Sequence, residues 1–248
     1  LKKYDKLVEG IFLEEGKNRF ISTVQVKKKI YECYVPNSSK MEKYLPLNNK
    51  LVLLTENMNS NCRTKYSLFA AKHNDDYVLL DLRLVNAYLE QAIKGGLVFP
   101  GNNYSIVREK YIEGYKADLL LLGDGEQIVV EAKGVISFNA RISFPGIFSK
   151  RFEDQLSRLL VLLSAGWRVN YFIVSLSPFI KQIELNSPSK QFNRLFSNCL
   201  ELGMELKQLS LELSDSIIRF RSENPVIILK LDTHDGLAFR SVSQSIDK

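Results

Sequence analysis

The sequence predicts an α/β (α+β) fold in two parts: a small strand-rich barrel or twisted sheet, then a domain with a mixed central sheet flanked by helices. Three observations point there. Residues 7–72 contain about six short β-prone stretches separated by polar breaks. From Leu84 the pattern changes to helix, strands, helix, strand, helix, strands, an order that calls for a mixed sheet covered by helices. The 248 residues are enough for one large or two small domains, and 45% apolar residues can fill their cores. The division is placed between residues 78 and 79.

In the front part, residues 7–8, 10–13, 20–26, 30–35, 48–55 and 66–72 are rich in β-branched and aromatic side chains, which suit a pleated surface. Residues 36–39 and 57–61 read as loops, and the three lysines at 27–29 as an exposed turn. In the rear part, residues 84–93 place apolar side chains at helical spacing, and Gly95-Gly96 stops the helix. Residues 107–111 read as a strand. Residues 117–122 and 127–133 are two strongly apolar strands around a turn at 123–126. Residues 151–164 form a helix closed near Gly166, 167–176 a buried strand, and 191–206 a helix. Residues 210–213 and 216–220 read as a hairpin turning at Ser214-Asp215. Residues 226–231 add an edge strand.

Charge is uneven. Residues 1–85 hold 15 Lys and Arg against 10 Asp and Glu, so they carry +5 of the chain's +6. A basic front module suits a polyanion, either nucleic acid or an anionic membrane surface. No apolar run approaches the roughly 20 residues of a membrane span and the start lacks a signal-peptide pattern, so no membrane partner is expected. Cys33, Cys62 and Cys199 stand far apart with no CxxC pair. That argues against structural zinc and a disulfide framework, and it fits a reducing cytoplasm. Two histidines, His73 and His234, give a histidine metal site or a Ser-His-Asp triad little to draw on.

Chemistry is concentrated in residues 116–134, KADLLLLGDGEQIVVEAKG. Asp124-Gly125 between two apolar runs predicts a two-residue type I′ turn, because both residues tolerate positive φ. That turn would set Gly123 against Glu126, Leu122 against Gln127, Leu120 against Val129 and Asp118 against Glu131. Directly opposed residues have Cβ atoms about 5 Å apart on one face. Two carboxylates placed so repel each other unless a cation lies between them, and Mg²⁺ is commonly held by one or two carboxylates plus water and phosphate. Lys133, two residues beyond Glu131, points to the same face. Two acids and a lysine at one point suit phosphodiester hydrolysis: a metal activates a water, and the lysine positions it and offsets charge on phosphorus. An E-x-K triplet alone is often a solvated face. The alignment with Asp118, inside strands apolar on both sides, is what argues for a site. Glu90, Glu109, Glu153 and Gln155 are auxiliary candidates from neighbouring elements.

Further motifs carry a resemblance. Gly10, Phe12, Leu13, Arg19, Phe20 and Val24 meet a G-x-F-L…R-F…V pattern. Pro36-Asn37-Ser38-Ser39-Lys40-Met41 stands for P-N-T-G-S-M, and Cys62-Arg63-Thr64-Lys65-Tyr66-Ser67-Leu68 for R-K-T-K-Y-T-L. Arg83-Leu84-Val85 matches R-L-V. Asp118-Leu119-Leu120-Leu121 and Val130-Glu131-Ala132-Lys133-Gly134 match D-F-L-L…V-E-V-K-N. Phe144-Pro145, Leu156 and Gly166-Trp167-Arg168 continue the match. The hairpin constellation resembles the PD-(D/E)XK nuclease superfamily. From about residue 7 to about residue 220 the chain is similar to the sugar fermentation stimulation protein A family of DNA-binding proteins and DNA/RNA nucleases.

The resemblance implies an OB-like domain over residues 1–78 and a PD-(D/E)XK nuclease-like domain over 79–248. It implies a hydrolase with Mg²⁺ or Mn²⁺ held by Asp118, Glu131 and the Ala132 carbonyl, with Lys133 assisting the attacking water. DNA or RNA is the expected partner, touching Arg19, Asn37, Lys40, Arg63, Lys65 and Tyr66. A homodimer is an open alternative to a monomer, since many nucleases of this superfamily pair. The rival expectation is a non-catalytic DNA-binding regulator of sugar-utilisation genes. The chain departs from the family pattern in the helix after R-L-V, where acids are replaced by Asn86 and Ala87; Glu90, one turn on, is the expected substitute. The aspartate after F-P is Gly146, and a family glutamine aligns with Glu153, with Gln155 two residues later.

Overall fold

In β2 (Ile21–Val26), Ser22, Val24 and Val26 are buried and the residues between them are more open, so the strand turns one face to a core. The same economy runs through the front domain of this computed structural model, which describes residues 3–37, 40–43, 45–59, 61–123, 125–146, 149–233 and 236–242. Of Lys43 and residues 230–233 and 236–242, only the backbone is described. Strand β1 (Leu7–Glu15) pairs antiparallel with β2 and with β4 (Leu51–Glu56). Strand β3 (Lys29–Tyr34) pairs with β2, and β5 (Tyr66–His73) with β4. The circuit closes where β3 meets β5 in parallel at Cys33 and Tyr66. Five strands joined this way form an OB-type barrel. Two devices help β1 curl: a register shift between Phe12 and Glu14, and Gly10, where a Cβ would stand 2.6 Å from Val24 Cγ1. Strand β6 (Asp76–Leu79) extends β5 as a hairpin.

The rear domain contains α1 (Leu84–Lys94), β7 (Ser105–Arg108), a short hairpin of β8 (Tyr111–Ile112) and β9 (Tyr115–Lys116), β10 (Leu119–Gly123), β11 (Glu126–Val135) and β12 (Arg141–Phe144). Then come α2 (Lys150–Ser164), β13 (Arg168–Ser175), β14 (Gln182–Leu185), α3 (Lys190–Glu201), β15 (Glu205–Ser214), β16 (Ile217–Phe220), β17 (Val226–Thr233) and β18 (Gly236–Val242). The main sheet has the order β16-β15-β13-β11-β10-β7, parallel at β11, β13 and β15 and antiparallel outside them.

The two faces of this sheet serve two cores. Leu119, Leu121, Val130, Phe172 and Leu209 share one cluster with Leu68 of the barrel and Leu89 of α1. The barrel and the sheet are further joined by Leu79 N–H donating to Leu176 O at 2.9 Å. Gly134 allows α1 to lie close to β11, because a Cβ there would meet Leu82 Cδ2 at 2.6 Å and Val85 Cγ2 at 2.8 Å. The opposite face, with Leu120, Val129, Tyr171 and Ile173, packs under Leu156 and Leu159 of α2 and Phe192 and Phe196 of α3. Glu131 and Lys133 alternate in phase with Val129, so they lie on the α2 side.

Three expectations are corrected. The helix expected over 191–206 ends at Glu201: Gly203, with φ of 92°, turns the chain, and the buried positions of 205–214 make it a strand. The strand expected over 107–111 stops at Arg108, because Glu109 adopts a φ of 52°. Residues 226–231 are not an edge. Ile227 and Leu229 bury in the α2/α3 core, which sets β17 between β14 and β18 in a separate sheet of order β12-β14-β17-β18.

Candidate active site

Strands β10 and β11 pair in the register that the Asp-Gly turn predicts, with Gly123 opposite Glu126 and Leu120 opposite Val129. Asp124 lies outside the described residues; Gly125 has a φ of 76°, as such a turn requires. The ladder ends at Leu119 and Val130, and one step further Asp118 stands opposite Glu131. There the Asp118 carboxylate takes over from the backbone ladder. Its Oδ2 accepts from Ala132 N–H at 2.9 Å, and its Oδ1 from Asn86 Nδ2 at 3.2 Å. A strand residue sends its N–H and C=O to the same edge, so the Ala132 carbonyl is turned to the Asp118 side as well.

Glu131 is only 1% exposed. Its Oε2 accepts from the Tyr115 hydroxyl, and its Oε1 accepts from the Lys133 ammonium and from Gln155 Nε2 at 3.2 Å. Lys133 also donates to Gln155 Oε1 at 3.0 Å, and its ammonium lies 5.3 Å from the centre of the Phe152 ring. Burial pushes the Glu131 carboxyl up from its ordinary pKa; Lys133 opposes this, and the charge of Asp118 adds to it. Burial and then the Glu131 charge push the Tyr115 hydroxyl up, so it remains a proton donor at neutral pH. A lone Glu131–Lys133 pair would read as a core ion pair. The second carboxylate changes this: Asp118 is bonded by two neutral donors, the Ala132 N–H and the Asn86 amide, and its charge bears on the buried Glu131, which favours a further cation.

Glu131, Lys133 and Gln155 therefore bond to one another, and Asp118 bonds to Ala132, the residue between Glu131 and Lys133. Glu90, Glu109 and Glu153 do not join them. Glu90 is bound by Lys94 and Arg108, and Glu109 by Lys116 on an exposed turn. Glu153 is buried where α2 meets α3, and it accepts from Ser189 Oγ, which in turn caps α3 by accepting from Phe192 N–H. Tyr115 and Asn86 are site residues that sequence reasoning did not assign. Asn86 stood out only as a missing acid, and Tyr115 had no signal beyond the Glu113-Gly114 turn before it. Among the described residues, no three or more His, Cys, Asp or Glu cluster as a metal cage.

The barrel residues expected to touch nucleic acid divide. Arg19 and Arg63 are exposed. Lys40 pairs with Glu42 and Lys65 with Glu56, both at the surface. Asn37 and Tyr66 are buried, which corrects their assignment as contacts: closure of β3 on β5 packs Tyr66 edge-on against Tyr31 at 5.2 Å.

Residues 83–216 match the family model described as "Sugar fermentation stimulation protein RE domain", and residues 15–80 match "SfsA N-terminal OB domain". The chain belongs to the sugar fermentation stimulation protein family. A sugar fermentation stimulation protein homolog of Desulforamulus reducens is 26% identical over 224 residues, covering 89% of this chain and 92% of the relative. A homolog of Clostridium tetani is 25% identical over 236 residues, covering 92% and 99%. Among solved structures, one described as "The structure of Pyrococcus Furiosus SfsA in complex with Ca2+" superposes with a TM-score of 0.78. It is 22% identical and covers 89% of this chain and 96% of that one. The SfsA fold thus extends across both domains. No helix among the described residues is long and apolar enough to cross a membrane.

Proposed function

We propose that this SfsA-family chain is a metal-dependent nuclease that hydrolyses phosphodiester bonds in DNA or RNA. The observation that carries this reading is the meeting of Asp118, Glu131, Lys133 and Gln155 on the α2 face of the main sheet. The donor set fits a hard cation such as Mg²⁺ or Mn²⁺: two carboxylates and the Ala132 carbonyl, with no thiolate or imidazole. Both oxygens of Asp118 and Oε2 of Glu131 each accept one hydrogen bond here and keep a lone pair free. A relative with this fold has been solved in complex with Ca²⁺, another cation that takes oxygen ligands.

When bound, the ion supplies Lewis-acid chemistry, drawing charge from a phosphoryl oxygen and easing deprotonation of a water. Asp118 and Glu131 hold it. Asn86 and the Ala132 N–H fix the Asp118 carboxylate, while Tyr115 and Gln155 fix Glu131. Lys133, steadied by Glu131 and Gln155, offers its positive charge to the phosphate and positions the attacking water. The OB-type barrel and the +5 charge of residues 1–85 support nucleic acid as the partner. The test uses end-labelled DNA and RNA with Mg²⁺ or Mn²⁺, each against an EDTA control. Metal-dependent cutting that disappears in Asp118→Asn is the expected result; cutting that persists in Asp118→Asn refutes the assignment.

One observation favours a second reading, DNA binding without cleavage by a regulator of sugar-utilisation genes. Asn86 stands at Asp118 where a family acid would add a third carboxylate. That reading expects salt-sensitive binding and no cleavage with either metal.

A further inference from the structure

The barrel carries a row of flat groups that the hairpin site does not use. Phe20 precedes β2 and Tyr34 ends β3, side by side where Ile21 pairs with Tyr34. Their rings are within 15° of parallel, with centres 6.4 Å apart. The Arg19 guanidinium lies 4.7 Å from the centre of the Phe20 ring, and the Arg83 guanidinium 5.4 Å from the centre of Tyr34. The order along the surface is Arg19, Phe20, Tyr34, Arg83.

An exposed phenylalanine beside a cation is by itself ordinary surface. This row is more organised than that. Phe20 is 36% exposed and the Arg83 side chain 59%, yet Arg83 is held in place. Asp81 accepts from its Nε at 2.8 Å, its Nη2 at 2.7 Å and its backbone N–H at 3.0 Å, a fork that fixes the guanidinium plane. Arg83 also stands at the N-cap of α1. Asn86, three residues on, shares its face of the helix about 5 Å further along the axis. Asn86 is the residue that donates to Asp118. Asn86 therefore links the helix at which the row ends to the acid pair.

We propose that Arg19, Phe20, Tyr34 and Arg83 form a stacking platform for the bases of single-stranded nucleic acid, which delivers an unpaired strand to the Asp118–Glu131 site. The binding stands by itself; the fate of the strand rests on the nuclease reading. Unpaired bases offer their flat faces to aromatic rings and guanidinium planes, whereas a duplex keeps those faces stacked inside. The arginines add attraction for the phosphates between the bases.

The experiment is fluorescence anisotropy of the full chain in EDTA, with a labelled oligothymidylate of about 12 nucleotides, within the usual OB site size, and a blunt duplex. The single strand is expected to bind more tightly. Phe20→Ala and Tyr34→Ala each weaken it about tenfold, within the range for loss of one base-stacking ring. Phe20→Leu keeps the bulk and loses the ring, so it also weakens binding; Phe20→Trp retains it. Arg19→Ala lowers the slope of log affinity against log salt by about 0.7. Duplex binding as tight as the single strand, or wild-type binding by Phe20→Leu, overturns the platform. Because no metal is present, a chain that binds as expected but never cuts keeps the platform and loses the nuclease reading. A chain that cuts but is indifferent to Phe20→Leu does the reverse.

Discussion

Lys133→Met is expected to slow metal-dependent cleavage by about a thousandfold, read in single turnover at saturating Mn²⁺. Loss of one fixed group that stabilises transition-state charge costs about a hundred- to a thousandfold, and Lys133 additionally positions the water. Methionine keeps the length of the side chain and its packing on Phe152. The side chain of Lys133 is 16% exposed and lies beside a fully enclosed Glu131. Without the ammonium, Glu131 loses the group that opposes its burial and is more readily protonated, so an unfolded variant is not the expected outcome. Lys133→Arg is not a rescue, because a planar fork cannot replace a compact ammonium between Glu131 and Gln155. A Lys133→Met rate within a few-fold of the parent removes Lys133 from the chemistry.

Mn²⁺ is expected to raise the melting temperature of the unaltered chain and to leave Asp118→Asn and Glu131→Gln where they were. At a hundred times its dissociation constant, a ligand of the native state stabilises by about 2.7 kcal/mol. For a chain of this size that corresponds to roughly 5–10 °C. Glu131→Gln keeps the shape of the side chain but leaves one acceptor oxygen where Tyr115 and Lys133 use two, so its melt in Mn²⁺ is read against its own melt in EDTA. The measurement is a thermal melt with and without Mn²⁺ and needs no substrate. An equal response from all three proteins means the ion sits elsewhere, and the paired acids then have another purpose.

The heart of the site was legible because its geometry is local. One Asp-Gly dipeptide fixes the register of a short hairpin, and that register alone brings together Asp118, Glu131 and Lys133. Gln155 was only one name among several. Glu153 sits on the same turn of α2, and the choice between them is made by α3, whose first turn draws Glu153 away through Ser189. Tyr115 reaches Glu131 only after the β8–β9 hairpin folds over the sheet, a long-range event with no period to betray it. Barrel strands showed in their alternation. The closure of β3 on β5 leaves no such mark, so the sequence offers Tyr66 as a surface ring although it is a wall of the core. The sheet of β12, β14, β17 and β18 was mostly missed for a related reason: its parallel pairs join short segments far apart in the chain.

Leu68 of the barrel, Leu89 of α1 and Val130 of the main sheet lie in one cluster, and the strand edges are stitched by Leu79 and Leu176. Among the described residues one core joins the two halves, so the span from Phe20 to Asp118 is set by that core as on a caliper. A strand gripped at one jaw would be cut at a constant number of nucleotides from the grip. Heating would open both jaws in a single calorimetric transition, with no folded barrel outliving its sheet.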